Sequence, residues 1–356
     1  MKFHFGKDFL LVAFLLLLMG CQKTPNEFPV QSLVTLPPPN VLLPGHWVVA
    51  QVAGDECRYH VVRAHVDLTP EDLKAAKGLA LSCSKVDEVA IAGSTMLLHG
   101  PCPSVDSDGE ACWMATSWPE GQEWKQTPLQ SPILLFEQQV LFPCGPLQWC
   151  QWQPGGNGPA HAFPPIQVSP QTDADALMPL AWRPPWLLMG EEAHCDSGMG
   201  GKVWPVFQKY WFINLTTGLP SPWKVWQAID ATPRCLHEGE TLEGYVWIDL
   251  IGWNPARAGE LAFAVRRFPK GFYERPLDMY PFRTEIYVWY ADGKFVKVGA
   301  FSHLSCGLWA PDGSGWLCKR LDNEGNVKSD VFIARQGKIV AEWPQMVGLE
   351  ILQWVP

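Results

Sequence analysis

The stretch Trp309-Ala310-Pro311-Asp312-Gly313 decides the fold of this chain. Its proline and its Asp-Gly pair favour a tight turn, because proline fixes one backbone angle and glycine accepts left-handed conformations. A strand-like segment leads into the tryptophan, and further strand-like segments follow at residues 315–319, 330–334 and 338–340. Short strands joined by turns in this order predict one antiparallel sheet of four strands.

The same unit, Trp-x-Pro, recurs along the chain. In most copies a strand-like segment precedes the tryptophan and a turn and a second strand follow, as in residues 249–253 and 261–265. The intervals between the last four copies bracket the length of a four-stranded propeller blade. The five copies are Trp152-Gln153-Pro154, Trp182-Arg183-Pro184, Trp253-Asn254-Pro255, Trp309-Ala310-Pro311 and Trp354-Val355-Pro356. These repeats predict an all-β domain made of similar sheets, with each tryptophan packed between neighbours.

Residues 245–343 resemble the TolB-type propeller repeat, in which W-S-P-D-G is followed by a leucine-alanine-phenylalanine strand and by an isoleucine-tyrosine strand that ends in D-G. Residues 117–124 are similar to the Asp-box of sialidase-like propellers, S-x-D-x-G-x-x-W, although Pro119 stands where the aspartate would be. Both resemblances imply a β-propeller. About six four-stranded blades would fit residues 45–356.

The two ends of this domain complement each other. Residues 349–356 form a first strand with no blade after it, whereas residues 46–50 begin a blade that lacks its first strand. We therefore expect the C-terminal strand to complete the N-terminal blade, because closing the ring removes two exposed sheet edges. One helix signal, from Thr69 as N-cap to Gly78 as stop, predicts a short helical insertion near residues 70–79.

The N-terminal segment has the order of parts of a secretory signal, with basic residues before an apolar run from Phe9 to Met19. The run is too short to span a bilayer, which takes about 20 apolar residues in a helix. Leu18-Met19-Gly20-Cys21 resembles the lipobox of bacterial lipoproteins. The resemblance implies that residues 1–20 are a signal peptide and that acylated Cys21 anchors the protein to a lipid bilayer of the cell envelope, on the extracytoplasmic side. An ordinary signal peptide followed by a structural cysteine is the alternative.

Residues 21–44 predict a tether between this anchor and the propeller domain at residues 45–356. The segment has little apolar periodicity, and proline-rich chain favours an extended conformation. Its prolines are Pro25, Pro29, Pro37, Pro38, Pro39 and Pro44. The whole chain carries a formal net charge of −9, so nucleic acid is not expected as a partner.

Ten of the 11 cysteines follow Cys21, and an even number in an exported chain indicates disulfides. None forms a C-x-x-C pair, which argues against zinc and redox sites. Two pairs flank turn sequences and should meet across hairpins: Cys306 with Cys318, and Cys102 with Cys112. Elimination then leaves Cys57 with Cys83, Cys144 with Cys150, and Cys195 with Cys235.

The most polar loop covers residues 190–202 and offers a possible site at Glu191, Glu192, His194 and Asp196. Carboxylates beside a histidine could bind a metal or transfer a proton, but flexible glycines next to polar residues also describe a solvated loop. No G-x-S-x-G elbow and no H-E-x-x-H occurs, so we assign no catalytic residue, metal or cofactor.

Three functions remain open, and one of them is a purely structural component of the cell envelope. The leading hypothesis is a non-catalytic binding or scaffold module that holds a protein or a glycan on one face of the propeller. The alternative is an extracytoplasmic glycoside hydrolase of sialidase-like shape, which would need three arginines converging on one carboxylate-binding spot. The candidate arginines are Arg183, Arg234, Arg266, Arg267, Arg275 and Arg283.

Overall fold

A computed structural model describes residues 42–356, except for 54–55, 66–67, 69, 77, 84–85, 103–110, 119–122, 156–158, 170–171, 173, 194, 196–202, 205, 238–243, 269–281, 323–324 and 345–348. The described chain is nearly all β, and six four-stranded antiparallel sheets form the blades of a propeller. Both the fold class and the number of blades expected from the sequence are confirmed.

The first half of the chain forms blades 1 to 3. Blade 1 contains β1 (Leu42–Ala53), β2 (Glu56–His65) and β3 (Gly78–Ser82). Blade 2 contains β4 (Glu88–Ala92), β5 (Thr95–Pro101), β6 (Ala111–Ser117) and β7 (Lys125–Gln126). Blade 3 contains β8 (Leu134–Phe136), β9 (Gln139–Gly145), β10 (Gln148–Trp152) and β11 (His161–Ala162).

The second half forms blades 4 to 6 and then returns to blade 1. Blade 4 contains β12 (Leu177–Arg183), β13 (Trp186–Glu192), β15 (Phe207–Asn214) and β16 (Leu219–Pro222), while β14 (Val203–Trp204) and β17 (Leu236–His237) pair separately. Blade 5 contains β18 (Val246–Trp253), β19 (Glu260–Arg267), β20 (Arg283–Tyr290) and β21 (Phe295–Ser302). Blade 6 contains β22 (Leu304–Trp309), β23 (Gly315–Leu321), β24 (Val327–Ala334) and β25 (Ile339–Pro344), and the last strand is β26 (Leu349–Val355).

The C-terminal strand β26 completes blade 1, as the sequence predicted. It pairs antiparallel with β1, so that Trp354 lies opposite Trp47. The indole Nε1 of Trp354 donates a hydrogen bond to the carbonyl oxygen of Pro44 at 2.6 Å. Both tryptophans are buried in the cluster between blades 1 and 6, which joins the two ends of the described chain.

Four copies of Trp-x-Pro end the first strand of a blade, and each of these strands has a β-bulge two residues before the tryptophan. The register with the second strand shifts there, leaving one extra residue on the first strand. The extra residues are Leu180, Ile251, Gly307 and Leu352. A bulge bends its strand, so these four blades share one local shape. The fifth copy differs, because Trp152 ends β10, the third strand of blade 3.

The repeated tryptophan packs between neighbouring blades. Trp309 of blade 6 lies in a buried cluster that includes Ile251 and Ala262 of blade 5. Its indole Nε1 donates a hydrogen bond of 2.8 Å to the carbonyl oxygen of Gly252, in the first strand of blade 5. The large ring supplies apolar contact area and its N–H fixes its orientation, as is usual for a buried tryptophan.

In the part of the chain that the structure describes, two short helices lie outside the blades. The predicted insertion forms α1 (Pro70–Ala75), which is shorter than expected because Gly78 opens β3 and lies opposite His60. A second helix, α2 (Val225–Ala228), was not predicted. Its N-cap residue, Lys224, makes no capping hydrogen bond through its side chain, so the usual start signal was missing.

The structure contains five disulfides, and their pairing agrees with the five pairs expected from the sequence. Cys306 and Cys318 lie directly opposite each other on β22 and β23. The other bonds join Cys57 to Cys83, Cys102 to Cys112, Cys144 to Cys150 and Cys195 to Cys235. In the ranges that the structure describes, no helix is long and apolar enough to cross a membrane. The signal peptide, Cys21 and most of the tether lie outside those ranges and stay predictions.

Candidate functional site

The predicted polar loop site is only partly described. Glu191 and Glu192 end strand β13 instead of lying in a loop, and successive side chains of a strand point to opposite faces. Glu191 is only 3% exposed, and its carboxylate accepts hydrogen bonds from Gln208, Lys209 and Trp211. It therefore stabilises blade 4 internally.

The other two residues of that site, His194 and Asp196, lie outside the described residues. Within the described ranges, no three histidine, cysteine or acidic side chains are grouped closely enough to hold a metal ion. The hypothesis of a polar site in this loop stays a prediction.

The arginines considered for a sialidase-like site that the structure describes are engaged by groups of the protein itself. Arg267 and Arg283 both contact the buried carboxylate of Glu285, at 2.9 Å and 3.7 Å. Arg234 lies over the ring of Tyr245, with 5.7 Å between the guanidinium carbon and the ring centroid. Arg275 is not among the described residues. Two of these arginines thus neutralise an acid of the protein itself.

A pocket of about 270 Å³ lies where the first strands of blades 4, 5 and 6 approach one another. Asp249 and Arg266 form an ion pair in it, and Arg266 also donates to the Ser305 hydroxyl at 3.0 Å. Burial raises the pKa of Asp249, and the neighbouring Arg266 opposes the rise. Among the described residues that line this pocket, Asp249 is the single carboxylate. Hydrolysis of a glycoside ordinarily takes two carboxyl groups.

A larger pocket, of about 460 Å³, opens between blades 4 and 5 on the face that carries the Trp-x-Pro turns. We call it the blade 4–5 pocket. Its walls come from the turns after β12, β18 and β20 and from the strands beside them. The lining residues are Arg183, Pro184, Pro185, Trp186, Phe212, Ser221, Trp253, Ala258, Gly259, Trp289 and Ala291. A pocket of this size is within the range that binds small molecules, about 300–1,000 Å³.

Aromatic rings form the apolar wall of the blade 4–5 pocket. Trp289 stacks on Phe212 with 4.5 Å between ring centroids, and Trp253 meets Trp289 edge to face at 6.1 Å. These contacts fix the rings before any ligand arrives. Trp186, the first residue of β13, is 39% exposed. Its large apolar ring therefore faces solvent next to an already ordered aromatic cluster, a combination typical of binding surfaces.

Arg183 brings a positive charge to this wall. It is the middle residue of Trp182-Arg183-Pro184, and its Nη1 donates to the carbonyl oxygens of Asn254 and Arg257 in blade 5. Its guanidinium lies over the ring of Phe136 in blade 3, 4.8 Å from the centroid. Burial lowers the pKa of Arg183 and Glu137 acts in the opposite direction, but an arginine remains charged in proteins.

A polar network fixes the turn that holds Arg183. Asn254 is fully buried, and its Nδ2 donates a hydrogen bond of 2.9 Å to Glu260. Glu260 in turn accepts two hydrogen bonds from Arg335 of blade 6. Gly313 of blade 6 has a φ of +68°, and a Cβ at this position would overlap the Asn254 side chain. The network thus links blades 4, 5 and 6 beneath the pocket.

No pattern in the sequence predicts the blade 4–5 pocket. Its residues range from Arg183 to Ala291 and come from two blades, so no local spacing connects them. The available signal was the middle residue of the repeats: Arg183 and Asn254 are polar where the later copies have Ala310 and Val355.

No protein-family model and no curated protein matches this chain. Among solved structures it is similar to a chain of "COPII on membranes, outer coat vertex", with 10% identity, a TM-score of 0.40, and coverage of 85% of this chain and 76% of that chain. It is also similar to the β-propeller domain of the Trilobed protease from Pyrococcus furiosus, with 11% identity, a TM-score of 0.26, and coverage of 83% and 71%. Likeness of this degree carries no argument about function.

Proposed function

We propose that this protein is an exported, lipid-anchored binding module that holds a protein or glycan ligand in the blade 4–5 pocket. In this proposal acylated Cys21 attaches it to the extracytoplasmic side of a membrane, and residues 21–44 separate the propeller from the lipid. The ring itself serves as a rigid support for the binding face.

The cysteines support the extracytoplasmic part of the proposal. All ten cysteines after Cys21 are paired in disulfides. Disulfides persist in oxidising compartments and are rare where thiols are kept reduced. Five of them in one domain favour an exported protein, in agreement with the predicted signal peptide.

The observation that carries the binding role is the exposed ring of Trp186 beside the ordered rings of Trp289, Trp253 and Phe212. A soluble protein usually buries aromatic surface, and exposed apolar patches mark ligand-binding grooves or interfaces. In the smaller pocket between the first strands of blades 4, 5 and 6, the described lining residues include one carboxylate, Asp249, and it is paired with Arg266. This pocket gives no comparable support to the hydrolase alternative.

The anchor is tested by expressing the full chain in a bacterium fed a palmitate analogue that can be detected chemically. The wild-type protein and a Gln22→Ala control should incorporate the analogue and stay with the membranes. Cys21→Ala should remain unlabelled. Equal labelling of the Cys21→Ala protein, or none in the wild type, would contradict the proposal.

The binding role is tested by probing the full chain, as wild type and as Trp186→Ala, against arrays of glycans and of envelope proteins. At least one ligand should be retained by the wild type and lost by the variant. If every bound ligand is retained equally by both proteins, the blade 4–5 pocket is not the binding site.

A further inference from the structure

We infer that the blade 4–5 pocket binds a carboxylated sugar, with a pyranose ring of a uronic acid oligosaccharide on Trp186 and its carboxylate at Arg183. This inference rests on the proposed binding function and names the chemical class of the ligand. It combines three features of the pocket: an unneutralised cation, a flat exposed ring, and a wall poor in main-chain donors.

Arg183 has unused hydrogen-bonding capacity. Within the described residues its guanidinium donates hydrogen bonds only through Nη1, so Nε and Nη2 have no partner there. No carboxylate of the described ranges lies within ion-pair distance of it, although Glu137 acts on it from further away. A guanidinium presents parallel N–H groups that match the two oxygens of a carboxylate. The ligand that best satisfies Arg183 therefore carries a carboxylate.

The described residues that line the pocket bring no negative charge to it. Arg257, whose carbonyl oxygen accepts from Arg183, is exposed and forms no ion pair within the described ranges. The chain as a whole is acidic, with a net charge of −9. At physiological ionic strength, however, exposed charges are screened beyond about 8 Å. Among the described residues that line the pocket, Arg183 is the one that carries a charge, so it is the charge nearest to a small anion bound there.

The aromatic wall suits a sugar ring. One face of a pyranose consists mainly of C–H groups, and these groups pack against the flat face of an indole ring. Trp186 is exposed enough to offer such a face, and Trp289 is held in place by its stacking on Phe212. The Ser221 hydroxyl also lines the pocket and is able to bond to sugar hydroxyl groups. Stacking and a few polar contacts are the usual means of orienting a small ligand.

The alternative ligand, an extended peptide, fits the pocket less well. Peptides in grooves commonly bond to main-chain groups of the receptor. Here Pro184 and Pro185 form part of the wall and have no N–H to donate. The backbone N–H of Ala291 is already used, since it donates to the Gly259 carbonyl oxygen. The wall thus favours a ligand recognised through side chains.

The test is isothermal titration of the full chain with tetragalacturonate and, in parallel, with the neutral oligomer of galactose of the same length. We expect tetragalacturonate to bind at least tenfold more tightly than the neutral oligomer. Oligomers of glucuronate and mannuronate extend the test to other uronic acids. Binding of none of the three acidic oligomers, or equal binding of the neutral one, would overturn the inference.

Substitutions test whether the ligand binds in the blade 4–5 pocket. Trp186→Ala and Arg183→Gln should each weaken the binding of the acidic oligomer at least tenfold. The matched control is Val340→Ala, an exposed apolar residue on blade 6, which should bind as the wild type does. Because Arg183 also joins two blades, Arg183→Lys is the second variant: it keeps the positive charge without the parallel N–H pair, and it should bind the acidic oligomer more tightly than Arg183→Gln does. Unchanged binding by Trp186→Ala would contradict the inference.

The outcomes of these binding experiments distinguish a failure of this inference from a failure of the proposed function. If a neutral glycan or a proline-rich peptide binds to the wild type but not to Trp186→Ala, the proposed binding function is supported and the inference of an acidic sugar ligand is wrong. If no ligand of any class depends on Trp186, both are wrong.

Discussion

Arg335 of blade 6 binds both carboxylate oxygens of Glu260 in blade 5. Its Nε lies 3.0 Å from Glu260 Oε2 and its Nη2 lies 2.5 Å from Oε1. Glu260 is buried and also accepts from Asn254, whose carbonyl oxygen holds Arg183. The two residues thus connect the packing of blades 5 and 6 to the position of the cation in the blade 4–5 pocket.

Replacing Glu260 with glutamine should lower the free energy of unfolding by about 3 kcal/mol, because the partly buried guanidinium of Arg335 loses its counter-charge. Urea denaturation would measure it. The control is Arg58→Ala, which removes an exposed ion pair with Glu56 and should change stability little. A Glu260→Gln protein as stable as the wild type would show that the pair does not hold the blades together.

Trp354→Ala should destabilise the fold by about 3–5 kcal/mol, since it removes a large buried side chain from the closure of the ring. Trp186→Ala, at an exposed position, should cost less than about 1 kcal/mol. Thermal and urea unfolding of both variants would give the comparison. Equal losses of stability in the two variants would mean that Trp354 stabilises the closed ring no more than a surface residue does.

Asp330 should make stability depend on pH. It is buried between Lys319 and Trp343 on the strands beside it, and burial raises its pKa to about 6, with Lys319 opposing. Between about pH 4 and pH 6 the folded state therefore binds more protons at this carboxyl than the unfolded state does. Linkage then requires stability to fall as pH rises through that window, by about 2–3 kcal/mol.

Asp330→Asn isolates this contribution. The free energy of unfolding of the variant should equal that of the wild type below pH 4 and exceed it above pH 6, as measured by urea unfolding across this pH range. Glu88→Gln, an exposed change on blade 2, is the control and should follow the wild-type curve. A constant difference between Asp330→Asn and the wild type at every pH would exclude the carboxyl as the source.

The disulfides should contribute unequally to the free energy of unfolding. Cys195 and Cys235 are 40 residues apart, whereas Cys144 and Cys150 are 6 apart. A crosslink that closes a longer loop restricts the unfolded chain more. Replacing the first pair with serine should therefore cost about 1.5–2 kcal/mol more than replacing the second pair. Urea unfolding of the two double variants tests this order, and the reverse order would refute it.

Much of the fold follows from the sequence because a propeller repeats one local rule. A strand that ends in tryptophan and proline, followed by a turn, predicted blades 4, 5 and 6 and the return strand. Trp152 differs from the other copies, because the strand that it ends is the third of its blade. Short-range chemistry defines a turn, but the place of that turn within a blade depends on pairing with distant strands.

The candidate site could not be predicted in the same way. Glu191 was a candidate because it belongs to a polar stretch of the sequence, but side chains on β15 donate hydrogen bonds to its carboxylate. Trp186 and Trp289 form one pocket although a hundred residues separate them. Which polar residue is satisfied, and which aromatic ring stays exposed, is decided by how the blades pack.

The pairing of β26 with β1 has a consequence for how the protein is made. Synthesis runs from the N-terminus to the C-terminus, so β1 is made before blades 2 to 6 and lacks this neighbour until β26 follows them. Until then one side of the first blade offers unpaired backbone groups and the Trp47 ring. Assembly of the ring is therefore a late event, and the growing chain needs protection from self-association before its final strand arrives.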